Sequence, residues 1–195
     1  MYTKMLYPKV INFVKKSTIK FDESHDVFHA LAVYDNAREI AIHDYPSFND
    51  NILMFASLLH DVCDHKYPSS ITKEQRNKFI STHLSDTETQ TVIDIIDNIS
   101  YSQEVKGKRK TLEYPFNIYQ DIVSDADKLE ALGDIGVRRC VIFTLEKGGV
   151  VPNDVVIHSH EKLLHLKDKF IKTSRGKELA QPRHQVIVDY CLKHS

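Results

Sequence analysis

The sequence predicts an all-α protein, a single-domain bundle of helices. Apolar residues mostly recur at spacings of three and four, as they do along one face of a helix. The chain contains only 6 Gly and 6 Pro, and it has no internal repeat or low-complexity tract. No segment alternates between apolar and polar residues over the length of a strand. A chain of 195 residues is long enough for one well-buried core and short for two, so one domain over residues 1–195 is expected.

The first predicted helix covers residues 24–42, and either Ser24 or Asp22 is available to cap its N-terminus. One face of this helix carries His29 followed by three apolar residues, namely Val33, Ala37 and Ile40. A second helix is predicted from about Asp50 through His60, because this stretch is apolar almost throughout. Its composition is typical of a helix buried in the core.

Two further helices begin at patterns that resemble capping boxes. Thr72-x-x-Gln75 predicts a helix near residues 73–82, and Ser85-x-x-Glu88 predicts one near residues 86–99. In this pattern the hydroxyl and the longer polar side chain each bond a backbone N–H at the helix start. Both helices are therefore predicted from local sequence alone.

The segment from Gln103 to Pro115 is polar and rich in lysine, and it is predicted to form a mobile loop within the domain. A long helix over residues 117–146 is expected next, with a break near Gly133 or Gly136. The pair Gly148-Gly149 ends it. Two more helices, near residues 154–172 and 176–193, complete the chain.

Charge and composition limit the classes of partner. The chain has 26 Lys and Arg against 27 Asp and Glu, so it has no general positive field for a nucleic-acid polymer or an anionic membrane. The scattered residues Cys63, Cys140 and Cys191 are expected to be free thiols. No secretory signal and no apolar run of roughly 18 residues is present. A cytoplasmic protein with no membrane partner is the expectation.

The pair His60-Asp61 follows an apolar run that ends in Leu58-Leu59. Two adjacent ionisable groups are costly to desolvate at the end of a buried helix unless a partner pairs with them, and a cation does so directly. His29 upstream and Asp127 downstream bring the set to two imidazoles and two carboxylates, which suits a divalent transition ion. The alternative is that these side chains are hydrogen-bonded core residues.

Four ordered stretches of the chain resemble the HD-domain metal-dependent phosphohydrolases, most closely the small stand-alone bacterial branch. The stretches are Ser24–His29, Ala56–Tyr67, Asp125–Gly136 and His158–Asp168, the last followed by Ala180–His184. The resemblance implies a helical bundle of the HD-domain type, with its core motif region at about 24–130. The C-terminal helices at about 154–193 would complete this bundle.

This resemblance implies that one divalent ion is held by His29, His60, Asp61 and Asp127. Manganese is favoured as the ion, with magnesium, iron, cobalt, nickel or zinc as alternatives. His25 is expected to support the ligands. Asp125 competes with Asp127 for the fourth ligand position, because residues two apart on a helix point to nearly opposite faces. Helical periodicity puts Asp125 in the apolar stripe, whereas the family context, Ala-Asp followed by Lys-Leu, favours Asp127.

The expected catalytic residues are the ligand Asp61 and a second carboxylate, Asp64. Asp64 lies four residues after His60, so it shares the face of the ligands if the helix continues, and it could then move the proton of the attacking water. Substrate phosphates need local cations and hydrogen-bond donors. The candidates for this role are Lys66, Lys128, His158, Lys162 and Arg183. Related bacterial proteins often carry Arg where this chain has Ala32, so its substrate preference is expected to differ or another cation to substitute.

The predicted function is metal-dependent hydrolysis of a small phosphorylated substrate, a nucleotide. A nucleoside triphosphate pyrophosphatase is the first choice. The alternatives within the superfamily are a nucleoside monophosphate phosphatase and an alarmone hydrolase. A module that binds metal and nucleotide without turnover, and a purely structural bundle, are the alternatives of other classes. The sequence leaves open whether the chain forms a homodimer.

Overall fold

The computed structural model describes residues 2–22 and 25–194. Within these ranges the regular structure is helical and contains no strand, which confirms the all-α class. None of the described helices combines the length and the apolar character needed to cross a membrane. Contacts within the chain divide it into two compact units, Met1–Ser124 and Asp125–Ser195. The single domain over residues 1–195 stays a prediction.

The helices of the first unit are α1 (Tyr2–Ser17), α2 (Val27–Asp44), α3 (Asp50–Leu59), α4 (Lys73–Ser81), α5 (Asp86–Asp97) and α6 (Tyr101–Val105). Helix α7 (Phe116–Glu130) contains the boundary between the units. The second unit continues with α8 (Gly133–Glu146), α9 (Asn153–His158), the π-helical turns Ser159–Leu163 and Leu166–Phe170, and α10 (Ser174–His194).

Helix α3 is the centre of the first unit. Every side chain from Ile52 to Leu59 is buried, and the helix packs against α1, α2 and α5. Its N-terminus is capped by Asn49, whose side-chain oxygen Oδ1 accepts hydrogen bonds from the N–H groups of Asn51 and Ile52. The amide nitrogen of the same Asn49 side chain donates to Glu88 at the start of α5. A buried helix whose first N–H groups are bonded in this way has a fixed register.

The helix caps show which local signals were reliable. Both predicted capping boxes are present, at the starts of α4 and α5. The prediction for α2 was wrong in part: the cap is Asp26, whose carboxylate accepts from the N–H groups of Phe28 and His29. Asp22 instead accepts a hydrogen bond from the Tyr67 hydroxyl, and Ser24 lies outside the described residues.

Helix α1 was not predicted. Leu6, Val10 and Val14 recur every four residues and are buried, and α1 packs against α2 and α3. Pro8 lies inside the helix, at a position where proline usually interrupts helical hydrogen bonding. Packing of the apolar face compensates for this local penalty.

The lysine-rich segment is anchored, in contrast to the predicted mobile loop. Its beginning forms α6, and the Arg109 guanidinium pairs with Glu104 at 2.8 Å and with Asp121 at 2.5 Å. The buried side chain of Gln120 donates to the carbonyl oxygens of Asn98 and Lys110. These polar contacts join residues far apart in the sequence, so no local pattern predicted them.

The predicted long helix is broken at Gly133, one of the two expected positions. Gly133 has φ +72°, a left-handed conformation that favours glycine, and it is the first residue of α8, directly after the break between α7 and α8. Helix α8 ends at Glu146, just before Gly148. The helix expected at 154–172 is instead α9 followed by the two π-helical turns.

The anchored segment leads to a stability prediction. We expect Arg109→Met to lower the free energy of unfolding by about 3 kcal/mol, because it leaves two carboxylates without their buried cation. Urea denaturation of the variant and of the wild type measures this change.

The matched control is Lys108→Met, which removes an exposed cation of the same segment. We expect its stability to stay within about 0.5 kcal/mol of the wild type. Equal stability of the two variants would contradict the anchoring role of Arg109.

Candidate metal centre

Helices α2 and α3 each bring one histidine to the centre of the first unit. His29 lies in the first turn of α2, where the Asp26 cap bonds its N–H, and the residue is only 4% exposed. His60 is the C-cap residue of α3, directly after Leu59, and its side chain is 3% exposed. Asp61 follows directly. The burial of α3 therefore places an imidazole and a carboxylate next to the first turn of α2.

Three possible ligand atoms converge at this point. The Nε2 atoms of His29 and His60 are 3.3 Å apart. Asp61 Oδ2 lies 3.0 Å from His60 Nε2 and 3.5 Å from His29 Nε2. All three atoms lie within 4.8 Å of one another. Two imidazole nitrogens and a carboxylate oxygen at this separation fit a divalent transition ion.

The tautomer of His60 follows from its hydrogen bond. Its Nδ1 atom is 2.7 Å from the carbonyl oxygen of Ser57, which can only accept, so Nδ1 carries the proton. In a neutral ring, the Nε2 lone pair then faces His29 and Asp61. A backbone carbonyl behind the far nitrogen is the arrangement that orients histidine ligands in metal sites. These residues thus fit the ion that the family resemblance implies.

Asp64 lies near the same centre, although the expected continuation of the helix does not occur. Helix α3 ends at Leu59, and a turn in which the N–H of Asp64 bonds the carbonyl of Asp61 follows it. Asp64 Oδ1 accepts the backbone N–H of Lys66 at 2.9 Å, which fixes the carboxylate. The Lys66 ammonium is 3.4 Å from Asp64 Oδ2, and its side chain is 60% exposed.

His25 lies between the two acidic residues. Its Nε2 atom is 3.6 Å from Asp64 Oδ2 and 3.9 Å from Asp61 Oδ2. Burial lowers the pKa of His25, and the Asp61 carboxylate acts in the opposite direction. Burial is the larger of these two effects on the pKa.

Sequence analysis missed two residues of this neighbourhood, Tyr67 and Asp22. The Tyr67 hydroxyl donates to Asp22 Oδ2 at 2.5 Å and lies 2.9 Å from His25 Nδ1. Burial and the Asp22 hydrogen bond raise the pKa of Tyr67. Tyr67 ends the stretch Ala56–Tyr67 that resembles the family, but no role was assigned to it, because the residues after α3 form turns and carry no helical periodicity. Asp22 had been considered only as a helix cap.

In the second unit the two competing aspartates have different surroundings. Asp125 is 0% exposed, and its Oδ2 atom accepts the N–H of Lys172 at 2.9 Å. The same oxygen accepts the N–H and the hydroxyl of Thr173, both at 2.7 Å. Asp125 therefore fixes the segment that begins α10. Asp127 is half-buried on the same helix, two residues further along.

The second-unit residues predicted to bind substrate have varied environments. Lys128 is buried, with 4% of its surface exposed. Arg183 donates to the carbonyl oxygen of Leu129 at 3.1 Å, so it caps the end of α7. Burial, and then the cation of Lys162, lower the pKa of His158. Contacts of Lys66 and these four residues with a substrate remain predictions.

Comparison with known protein families identifies a match over more than half of the chain. The model of the HD domain family matches residues 27–132. YpgQ of Bacillus subtilis (strain 168) is 30% identical over 181 residues, covering 89% of this chain and 85% of YpgQ. A protein of Acanthamoeba polyphaga mimivirus is 31% identical over 217 residues, covering 86% of this chain and 87% of the viral protein.

Solved structures show the same fold. The crystal structure of YpgQ has a TM-score of 0.81 and 25% identity, covering 100% of this chain and 96% of YpgQ. A crystal structure of YpgQ in complex with ADP has a TM-score of 0.81 and 24% identity, covering 100% and 95%. An HD-superfamily hydrolase from Bacillus thuringiensis has a TM-score of 0.75 and 28% identity, covering 98% and 96%.

The contacts of Asp125 lead to a prediction about stability. We expect Asp125→Ala to lower the free energy of unfolding by about 3 kcal/mol or more, because three donors lose a buried charged acceptor. Chemical denaturation followed by circular dichroism measures this loss.

Asp189→Ala is the control, because Asp189 is an exposed aspartate whose hydrogen-bond partner, Gln185, lies on the same helix. It should change stability by less than about 0.5 kcal/mol. An Asp125→Ala protein as stable as the wild type would show that Asp125 does not hold the start of α10.

Proposed function

The chain belongs to the HD domain family, which includes HD-superfamily hydrolases, and from this premise we propose that it is a divalent-metal-dependent phosphohydrolase. More specifically, we propose a nucleoside triphosphate pyrophosphatase, which releases diphosphate and a nucleoside monophosphate. The observation that carries the proposal is the convergence of His29, His60 and Asp61 within the first unit. Manganese is the favoured ion.

The proposed ligands are the three first-unit side chains and Asp127 as the fourth. Asp127 is chosen from its sequence context, and the contacts of Asp125 support that choice. The Asp125 carboxylate already holds the backbone at residues 172 and 173, so it has a structural task. A divalent ion held by this set supplies Lewis acidity, neutralising phosphoryl charge and lowering the pKa of a nearby water.

Asp64 is the proposed base that accepts a proton from the attacking water. The water oxygen forms a bond to the α-phosphorus, and one of its protons passes to the Asp64 carboxylate. The bond from phosphorus to the bridging oxygen breaks, and its electron pair leaves with diphosphate. The Lys66 N–H orients Asp64 Oδ1 for this task, and the Lys66 ammonium lies beside Oδ2.

A nucleotide is the proposed substrate class. Its support is that YpgQ, a relative at 30% identity, has been crystallised in complex with ADP. The cations proposed to bind its phosphates are Lys66, Lys128, Lys162 and Arg183, with His158 as a further donor. The Lys66 side chain is 60% exposed, so a substrate can reach its ammonium group. Bacterial relatives often carry arginine at the position of Ala32. Ala32 is half-buried on α2 and supplies no cation there.

The remaining partner assignments stay predictions. They are the absence of a nucleic-acid polymer and of a membrane partner, the cytoplasmic location, and the homodimer that the sequence left open. The near balance of 26 basic and 27 acidic residues supports the first two.

The ligand assignment predicts a loss of metal. We expect His60→Ala to weaken Mn²⁺ binding by more than about 100-fold, because changing only the partners behind ligands already costs 10–100-fold. Isothermal titration with Mn²⁺ measures the affinity, and elemental analysis of the purified protein measures retained metal.

The control is His43→Ala, a histidine whose side chain is exposed at the far end of α2 and bonds Asp44. It should bind Mn²⁺ as the wild type does. The same titration on Asp127→Ala tests the fourth ligand, and wild-type affinity in that variant would reject Asp127.

The reaction itself is tested with a panel of nucleoside mono-, di- and triphosphates, with and without Mn²⁺, and with products separated by chromatography. We expect diphosphate and nucleoside monophosphate to form from triphosphates only when the ion is present. Asp64→Asn should keep Mn²⁺ affinity and lose activity by about 10²- to 10⁴-fold, as expected for a general base.

The other outcomes distinguish the rival functions. Release of orthophosphate from monophosphates would replace the pyrophosphatase by a monophosphate phosphatase. Binding of metal and nucleotide without any product would indicate a binding module. Unchanged rates in Asp64→Asn would remove Asp64 from the mechanism.

A further inference from the structure

The geometry points to Tyr67 and Asp22 as positioning residues that act through His25. We infer that they hold the His25 ring so that Nδ1 carries its proton and Nε2 accepts a hydrogen bond from the reacting water beside Asp61 and Asp64. This inference rests on the proposed function for the identity of that water. The tautomer and orientation of His25 follow from the structure alone.

The tautomer is fixed by counting protons. The Tyr67 hydroxyl has one proton and donates it to Asp22 Oδ2 at 2.5 Å. The Tyr67 hydroxyl oxygen is also 2.9 Å from His25 Nδ1, and because its one proton is already donated to Asp22, Nδ1 is the donor in that contact. Asp22 Oδ1, at 3.6 Å from Nδ1, reinforces this preference. In the neutral ring, Nε2 is then an acceptor.

Tyr67 itself is held firmly. Its ring stacks on Phe21 with the ring centroids 4.0 Å apart, and the rings of His25 and Tyr67 meet edge to face at 5.5 Å. Its N–H bonds the carbonyl of Asp64, and its carbonyl accepts the Ser70 hydroxyl at 2.6 Å. The backbone of Tyr67 is thus bonded directly to that of Asp64, which fixes the two residues relative to each other.

The acceptor at Nε2 faces two further acceptors. Asp64 Oδ2 and Asp61 Oδ2 lie 3.6 Å and 3.9 Å away, and a lone pair cannot bond a carboxylate directly. A water has two O–H donors, so it can give one to His25 and the other to Asp64. Its oxygen lone pairs are then left for the phosphorus atom. His25 in this position orients the water, while Asp64 takes the proton.

The first test reads the tautomer directly. Long-range ¹H–¹⁵N correlation spectra of ¹⁵N-histidine protein loaded with diamagnetic Mg²⁺ distinguish the two neutral tautomers and the charged ring, and His25→Gln assigns the signal. We expect the Nδ1–H tautomer in the wild type. In Tyr67→Phe, and more fully in Asp22→Ala/Tyr67→Phe, the ring should shift toward the Nε2–H form. A charged or Nε2–H ring in the wild type, or an unchanged ring in the double variant, would overturn the inference.

The second test reads catalysis with the substrate found in the nucleotide panel. We expect Tyr67→Phe to lower kcat by about tenfold or more, because a misplaced reacting group costs rate, with KM and Mn²⁺ affinity unchanged. Tyr34→Phe is the matched control, since the Tyr34 hydroxyl likewise donates to an aspartate, Asp50, at 2.9 Å. It should keep the wild-type kcat and the wild-type His25 spectrum.

The two failures are distinguishable. Absence of wild-type turnover would reject the proposed function and the role of the water, while the spectra still decide the tautomer of His25. Normal wild-type turnover with an unchanged kcat in Tyr67→Phe would reject the positioning role alone.

Discussion

The burial of helix α3 is the constraint on which the candidate site depends. A helix covered by α1, α2 and α5 must end with its polar groups bonded, and its C-cap residue is His60. The bond from His60 Nδ1 to the Ser57 carbonyl satisfies the backbone and fixes the ring at the same time. The Nε2 lone pair then has to face His29 and Asp61. A site able to hold a cation is thus a direct result of how this buried helix terminates.

The turns after α3 extend that result to the residues proposed to act on the reacting water. Because they replace a continued helix, they bring Asp64 and Tyr67 to positions beside His25 that periodicity would not predict. Each acidic group there has a defined partner: Asp64 bonds the Lys66 N–H, and Asp22 bonds the Tyr67 hydroxyl. Hydrogen bonds of this kind fix the orientation of polar groups, as preorganised sites require.

In the second unit, one helix places two aspartates in different surroundings. Helical geometry directs Asp125 into the apolar stripe, where three donors from residues 172 and 173 bond its carboxylate. Asp127 points away from that stripe because it lies two residues further along. Sequence periodicity indicated that the two differ. It could not show that Asp125 holds the start of α10, since that depends on residues nearly fifty positions away.

The sequence by itself determined the helical class, the capping boxes of α4 and α5, the break at Gly133 and the set of His and Asp candidates. The first three features depend on local residue patterns and on bonds between neighbours, which a short stretch of sequence specifies, whereas the candidate set was completed by the resemblance to the HD-domain family. Only the tertiary structure decided the packing of α1, the anchoring of Arg109 and the partnership of Asp22, Tyr67 and His25. Asp22 and Tyr67 are 45 residues apart, so their hydrogen bond exists only because folding brings two turns together. Contacts of this kind have no local pattern, and they fix the orientation of the groups around the candidate metal centre.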